Sequence, residues 1–423
     1  LVSSGNSRYG VQFLNGADSN EFYRCNVTGN VDKDLYFTSG VSNVFSNNTL
    51  QSSYKVTGPN GNVFNNSVVG NHWTSYDSEA HGCFDSDLDG FCDDPYVLGA
   101  SATDYLPQFF NTTNSTDIVC YNCSDCTSKI QDYGAGYTIL LNNSISNFGS
   151  TCINFGGVDG VVFDCQGNTI DGTKAGSSYG LYFPDTGDDS NYNTVRNCTV
   201  SQFYWNVYLY HSSFNVFEDL VLVDDGNKGV YLYQYADGNE FNGLSVSGTS
   251  SYGVHFSSYN DGNSFVNVSV SGHSYDVFLE NYNDQNLFLN VSVDPSSYGF
   301  YINGNNDDND FVDVSSVGGS SGFYVLSSHN NNFSGVSVVS PSNYGMLLSS
   351  CNNPVVSDAW FGGSGIDYGL YMENTYNGVF SNVSVGGGSY DGVYLYNCDG
   401  NEFIGLVSSG NSRYGVQFLN GAD

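Results

Sequence analysis

The sequence predicts an all-β fold, a right-handed parallel β-helix. Three observations point there. An Asn-x-Phe pair, or an apolar residue in its Phe position, recurs at steps of 22 to 25 residues from Val195 to Phe403. Short stretches that alternate apolar and polar residues flank each recurrence, separated by Gly, Asn, Asp and Ser. Gly (51), Tyr (34) and Phe (29) are abundant, while Ala, Glu, Lys and Met, the strongest helix formers, are scarce. Aromatic residues make up 16% of the chain, enough apolar surface for a large core, which argues against disorder.

The repeat is read from Asn215/Phe217, Asn239/Phe241, Asn263/Phe265, Asn286/Phe288, Asn309/Phe311 and Asn331/Phe333. It continues through Val355, Phe380 and Asn401/Phe403, and is preceded by Val195. Near the start, Asn20/Phe22, Asn43/Phe45 and Asn62/Phe64 belong to the same series. A second strand stands ahead of each pair, as in Tyr252-Gly-Val-His-Phe and Tyr298-Gly-Phe-Tyr-Ile. A third, such as Asn267-Val-Ser-Val, follows it. A unit of about 23 residues cannot bury its own apolar face, so units must stack into a solenoid. A propeller blade needs about 40 residues. Phe should stack inside, one ring per coil, and Asn should form an amide ladder at a turn.

Organisation follows from where the pattern holds. Residues 1–70 read as the last coils of one β-helix. Residues 71–116 read as a terminal cap and linker, with Pro95, Pro107 and a polar run at 111–116. Residues 117–423 read as the next β-helix, with a Cys-rich cap over 117–175 and regular coils over 176–423. Residues 406–423 repeat residues 1–18 letter for letter, LVSSGNSRYGVQFLNGAD. The coil register runs through this seam. The expectation is a window of just over one 405-residue period of a tandem array. The alternative is a subunit whose duplicated end swaps between copies.

Charge bounds the partners. Nine Lys+Arg against 43 Asp+Glu give a net charge of −34, which repels nucleic acid and anionic membrane surfaces. No 18-residue apolar window exists for membrane insertion.

Few residues carry chemistry. Asp85-x-Asp87-x-Asp89-Gly90-x-x-Asp93 has the spacing of a calcium loop, with Phe91 offering its carbonyl, although Tyr96 stands where a bidentate Glu is usual. Calcium is therefore the expected cofactor. The eleven Cys suggest disulfides in an oxidising compartment. Cys83 and Cys92 bracket the acidic loop and could clamp it. Cys120, Cys123 and Cys126 read as a cap stapled to Cys152 and Cys165, with pairing open. Cys351 and Cys398 lie two coils apart, too far to bond.

Acceptor sequences Asn-x-Ser/Thr occur at Asn26, Asn47, Asn65, Asn111, Asn114, Asn122, Asn142, Asn197, Asn267, Asn290, Asn332 and Asn382. Those at 111 and 114 lie in the exposed linker. Asn47, Asn197, Asn267, Asn290 and Asn382 all fall two residues after the Phe column. On a straight strand that position points inward, where an amide ladder would be the simpler reading.

Two stretches add a resemblance. Asn71-His-Trp-Thr-Ser-Tyr followed by Asp85-Ser-Asp-Leu-Asp-Gly-Phe-Cys-Asp-Asp-Pro-Tyr resembles the terminal element of NosD-like (CASH-type) parallel β-helix proteins of archaeal and bacterial surfaces. Val162-Phe-Asp-Cys-Gln-Gly-Asn-Thr-Ile-Asp-Gly172 is similar to that family's first coil. The resemblance implies the fold and an extracellular or cell-surface setting, but no activity.

The resulting expectation is a structural surface filament of glycosylated β-helices joined end to end, its partners being copies of itself. A glycan-binding adhesin, using exposed Tyr columns, is the alternative. An enzyme is not expected: Gly187-Asp188-Asp189 and His81-Gly82 resemble polygalacturonase motifs but stand far apart, without basic partners.

Overall fold

The structure is a computed structural model. It describes residues 2–4, 6–14, 17–23, 25–28, 30, 33–37, 41–50, 62–64, 71–73, 83–84, 91–99, 102–108, 117–187 and 189–422. The chain forms two compact units, Leu1–Ile118 with Gly134–Tyr137, and Val119–Tyr133 with Thr138–Asp423. The fold is a right-handed parallel β-helix of about 16 turns with coils of about 23 residues.

One coil shows the plan. Its strands are Thr194–Arg196, Thr199–Ser201 and Trp205–Tyr210. Each pairs in parallel with the matching strand of the next coil, Val216–Glu218, Val221–Val223 and Lys228–Tyr233. Among the described residues the first two files of strands form one 23-stranded sheet and the third a 12-stranded sheet. Side chains alternate along each strand, so Val195, Val200, Val207 and Leu209 all fall inside and are buried.

The Phe column lies in that core. Phe217, Phe241, Phe265, Phe288, Phe311 and Phe333 are buried and stack at centroid distances of 4.4 to 5.5 Å. Such ring pairs add about 0.5–1.5 kcal/mol each to simple burial. The register corrects one position. Phe333 pairs with Val356, which pairs with Phe380. Val355 instead faces outward and is exposed, because a one-residue shift along a strand reverses the side chain. Phe403, near the open end of the stack, is only half-buried.

The Asn of each pair forms the amide ladder. Oδ1 of Asn239 accepts from the backbone N–H (2.9 Å) and Nδ2 (3.1 Å) of Asn215, and Oδ1 of Asn263 accepts from both groups of Asn239. The series runs on through Asn286, Asn309 and Asn331, all buried. It satisfies turn amides that would otherwise be orphaned inside. Asn260, Asn283 and Asn306 make a second ladder.

The Tyr-Gly pair also has a steric cause. A Cβ on Gly253 would lie 2.7 Å from the Asp276 carbonyl oxygen, and one on Gly322 2.8 Å from that of Gly345. Coils approach too closely there for a side chain. Asp276 breaks this Gly column and is buried beside His273.

Each unit has terminal features that the repeat did not reveal. In the first, the ladder Asn48–Asn71 ends on buried Asp104, which accepts from Asn71 N (2.8 Å) and Trp73 Nε1 (2.8 Å). In the second, a helix over Cys123–Tyr133 packs Cys123, Cys126 and Ile130 inward at helical spacing. Asn122 caps it, accepting from Asp125 N–H, while Asp125 accepts from Tyr121 N–H.

Candidate functional site

The 12-stranded sheet presents an aromatic outer face. Three outward positions per strand form files along the solenoid, which in one coil are Trp205, Tyr208 and Tyr210, the first two preceded by Tyr179 and Tyr182. Most members are Tyr, and most neighbouring rings lie face to face, as in Tyr208–Tyr231 at 5.1 Å and Tyr275–Tyr298 at 5.2 Å. Where rings stack on one another, they offer solvent their edges and hydroxyls rather than open faces.

Among the non-aromatic members of the files, four from three successive coils stand together: Lys228, His255, Ser257 and Glu280. Lys228 is buried, with Nζ 3.4 Å from the Tyr231 ring centroid and 5.6 Å from that of Tyr252. Desolvation pushes its amine down to about 8. His255 Nε2 lies 3.2 Å from Glu280 Oε2, and His255 Nδ1 has no hydrogen-bond partner among the described residues. Burial holds the imidazole below its usual range, while the hydrogen bond from His255 keeps Glu280 ionised. The group combines a cation, an imidazole and a carboxylate within an aromatic wall.

A second charged cluster is fully enclosed. His273 Nε2 lies 3.0 Å from Asp225 Oδ2, and its Nδ1 lies 3.4 Å from Asp276 Oδ1. Burial opposes the imidazolium, but the Asp225 hydrogen bond and the charge of both carboxylates raise it to about 9.

The cysteines form four disulfides: Cys83–Cys92, Cys120–Cys126, Cys123–Cys152 and Cys165–Cys198. Cys165 is thus joined to Cys198 in the next coil, not to the helical cap. Cys25, Cys351 and Cys398 are free thiols, all buried. Asp85, Asp87 and Asp89 lie outside the described residues; Phe91 and Asp93 lie within them.

The acceptor asparagines fall into distinct settings. Asn65, Asn111 and Asn114 lie outside the described residues. Asn26 and Asn332 sit in strands, and Asn122 is occupied as the helix cap. Asn142 is exposed beside the strand Thr138–Leu141. Asn47, Asn197, Asn267, Asn290 and Asn382 occupy a left-handed corner after the Phe column, at φ of 53 to 56°. The bend turns these five side chains outward, which removes the inward placement expected for a straight strand.

The duplicated segment is seen in two environments. In the first unit, Val2–Ser4 and Tyr9–Phe13 pair forward with Asn26–Thr28 and Lys33–Phe37. Phe13 stacks on Phe37 at 4.4 Å and is 3% exposed. In the second unit, the identical strands Val407–Ser409 and Val416–Leu419 pair backward with Ser384–Gly386 and Val393–Tyr396. There Phe418, the counterpart of Phe13, is 56% exposed.

Residues 111–311 and 290–423 match the family described as periplasmic copper-binding protein (NosD). No curated protein sequence matches the chain. Among solved structures, the periplasmic alginate epimerase AlgG is similar at 11% identity and a TM-score of 0.42, over 71% of this chain and 84% of that one. The Dettilon tailspike protein (gp208) is similar at 11% identity and 0.44, over 74% and 60%. The catalytic domain of a GH87 α-1,3-glucanase is similar at 14% identity and 0.39, over 76% and 72%.

Two expectations are corrected. Calcium is withdrawn as the cofactor, because the matching family is described as copper-binding. The expectation of no enzymatic activity is also withdrawn, because the similar folds include an epimerase and a glucanase; likeness at this level transfers no activity to this chain.

The described residues do not fit copper. Copper favours imidazole and soft sulfur ligands. Met346 and Met372 are buried in the core, and burial pushes the Cys351 thiol up to about 11. The one cluster of three possible ligands among the described residues, Asp185, Asp189 and His211, has a single imidazole and two carboxylates. No described helix is long and apolar enough to cross a membrane.

Proposed function

The chain belongs to the NosD family, and on that premise we propose that it is an extracytoplasmic structural protein whose β-helices continue end to end as a filament. The supporting observation is the duplicated segment. One copy of this sequence uses its forward face and the other its rear face. A coil that used both at once would join residues 384–396 of one repeat to residues 26–37 of the next without a break in register. The reading rests on that shared sequence, and it holds whether successive repeats are covalently joined or exchange ends.

The energetic case is the contrast between the two copies. Phe418, at an inward-facing position paired with buried Leu395, is 56% exposed, whereas the identical Phe13 is 3% exposed. Unpaired strand edges and core side chains favour either a cap or another coil. Covering one Phe side chain contributes about 1.5–3 kcal/mol, and the added coil also satisfies the strand edges. The charge of −34 would keep neighbouring filaments apart. Glycans on outward acceptor asparagines would coat the surface. An adhesin reading gains less, because face-to-face ring stacking limits the open faces on which sugars could stack.

Electron microscopy of cell-surface material tests the filament. The expectation is a thin fibre with an axial repeat of roughly 70–100 Å, from strand spacing of about 4.8 Å per coil. Isolated particles with both ends covered would refute it.

A further inference from the structure

The left-handed corner places one residue of each coil outside the 23-stranded sheet. In the second unit its file is Asn197, Asp219, Gly243, Asn267, Asn290, Asp313, Gly335, Asp358, Asn382 and Gly405. All have φ between 52 and 69°. Only Gly, Asn and Asp adopt this conformation readily, so the backbone alone accounts for Asn here.

It does not account for the residue two positions on. That residue is Thr199, Ser269, Ser292 or Ser384 after the four Asn corners, and Thr49 after the matching Asn47 of the first unit. After the Asp and Gly corners it is Val221, Ser245, Ser315, Ser337, Trp360 and Val407. Val221, Trp360 and Val407 are 41%, 42% and 55% exposed, so this site tolerates large apolar side chains and does not require a hydroxyl. A hydroxyl therefore follows every Asn corner but only half of the others. The intervening residues, Asn48, Cys198, Val268, Val291 and Val383, are buried, and none is Pro.

We infer that the corner asparagines form a file of N-glycosylation sites along one edge of the solenoid. The inference rests on the extracytoplasmic reading above and assigns the modification to specific positions. The donor would be a polyprenyl-phosphate-linked saccharide supplied with its transferase. Asn Nδ2 forms a bond to the anomeric carbon, the bond from that carbon to phosphate oxygen breaks, and the polyprenyl phosphate leaves with the electron pair. One Nδ2 proton passes to a base of the transferase.

The geometry accommodates the product. Asn290 Nδ2 donates to Asn267 Oδ1 at 2.8 Å, and Asn382 Nδ2 donates to Asp358 Oδ1 at 3.0 Å. A glycosylated amide keeps one N–H, so each inter-coil bond survives while the second N–H is replaced by sugar. Asn197, Asn267, Asn290 and Asn382 are exposed, leaving room for that substituent.

Glycopeptide mass spectrometry on the full chain from its native cells, with the protein's surface exposure checked by protease shaving, tests this. The expected result is a saccharide mass on Asn197, Asn267, Asn290 and Asn382. Ser269→Ala and Ser292→Ala alter exposed hydroxyls outside the core. Each should lower occupancy at its own Asn at least tenfold and leave the other sites unchanged. Unmodified corner asparagines in surface-exposed protein would overturn the inference, as would glycosylation that persists in both Ser→Ala variants. Microscopy of the same samples keeps the two readings separate. Bare filaments refute the glycan file alone, and glycosylated protein without filaments refutes the filament alone.

Discussion

Phe13 and Phe418 allow one substitution to be made twice in the same sequence and in two environments. Phe13 is 3% exposed, stacked on Phe37 at 4.4 Å and edge-on to Phe22 at 5.3 Å. Phe13→Ala should therefore cost about 3–5 kcal/mol, the range for removing a buried aromatic ring. Phe418 is 56% exposed, so Phe418→Ala in the unassembled chain should cost at most about 1 kcal/mol. A solenoid opens locally, so global melting would average the difference away. Hydrogen exchange resolved to residues 9–50 and 393–419 is the appropriate assay. Phe13→Ala should speed exchange in its region by about two to almost four orders of magnitude, and Phe418→Ala by less than tenfold. In assembled filaments the Phe418→Ala effect should grow to match that at Phe13. Equal costs in the unassembled chain, or a Phe418→Ala effect that assembly leaves unchanged, would refute the reasoning.

Three further outcomes follow from buried charge. Burial raises Asp104 to about 6, against the pull of its Trp73 and Asn71 hydrogen bonds. Its stabilising contribution is complete below about pH 4 and lost as pH rises through 6, on the order of 3 kcal/mol; protease protection of Asn71–Trp73 should fall over that window, and Asp104→Asn should flatten the profile. His273, raised to about 9, stabilises its coils fully below about pH 6.5 and loses that contribution as pH rises through 9. His273→Ala leaves Asp225 and Asp276 buried without a cation and should cost about 3–5 kcal/mol, read by exchange over 225–276. Lys228, lowered to about 8, is penalised as a cation at neutral pH, so Lys228→Met should stabilise the neighbouring strands by about 1 kcal/mol after loss of its cation–π contact; a loss of more than 1 kcal/mol would contradict this.

The period carried most of the fold. Asn-x-Phe spacing identified the stacked core and the amide ladder, because both repeat once per coil. It placed Val355 where Val356 belongs, since the spacing varies by a residue and side-chain direction depends on parity. The helix Cys123–Tyr133 lies outside the repeat, and its signal is purely local: eleven residues without Gly or Pro that follow a capping Asn. Lys228, His255 and Glu280 come together on one face only once strand register is known. The corner asparagines were legible as acceptors but not as outward-facing. Their signal was the restriction of one file to Asn, Asp and Gly, which marks a left-handed backbone.

The most direct test of the end-to-end account is a cryo-electron microscopy map of the junction between repeats. The account predicts parallel, in-register pairing of Val416–Leu419 with Lys33–Phe37 of the following repeat, and a Phe418 ring stacked on its Phe37 near 4.4 Å, as Phe13 is on Phe37. A junction in which Phe418 remains exposed, or in which solenoids meet side by side or with strands antiparallel, would contradict it.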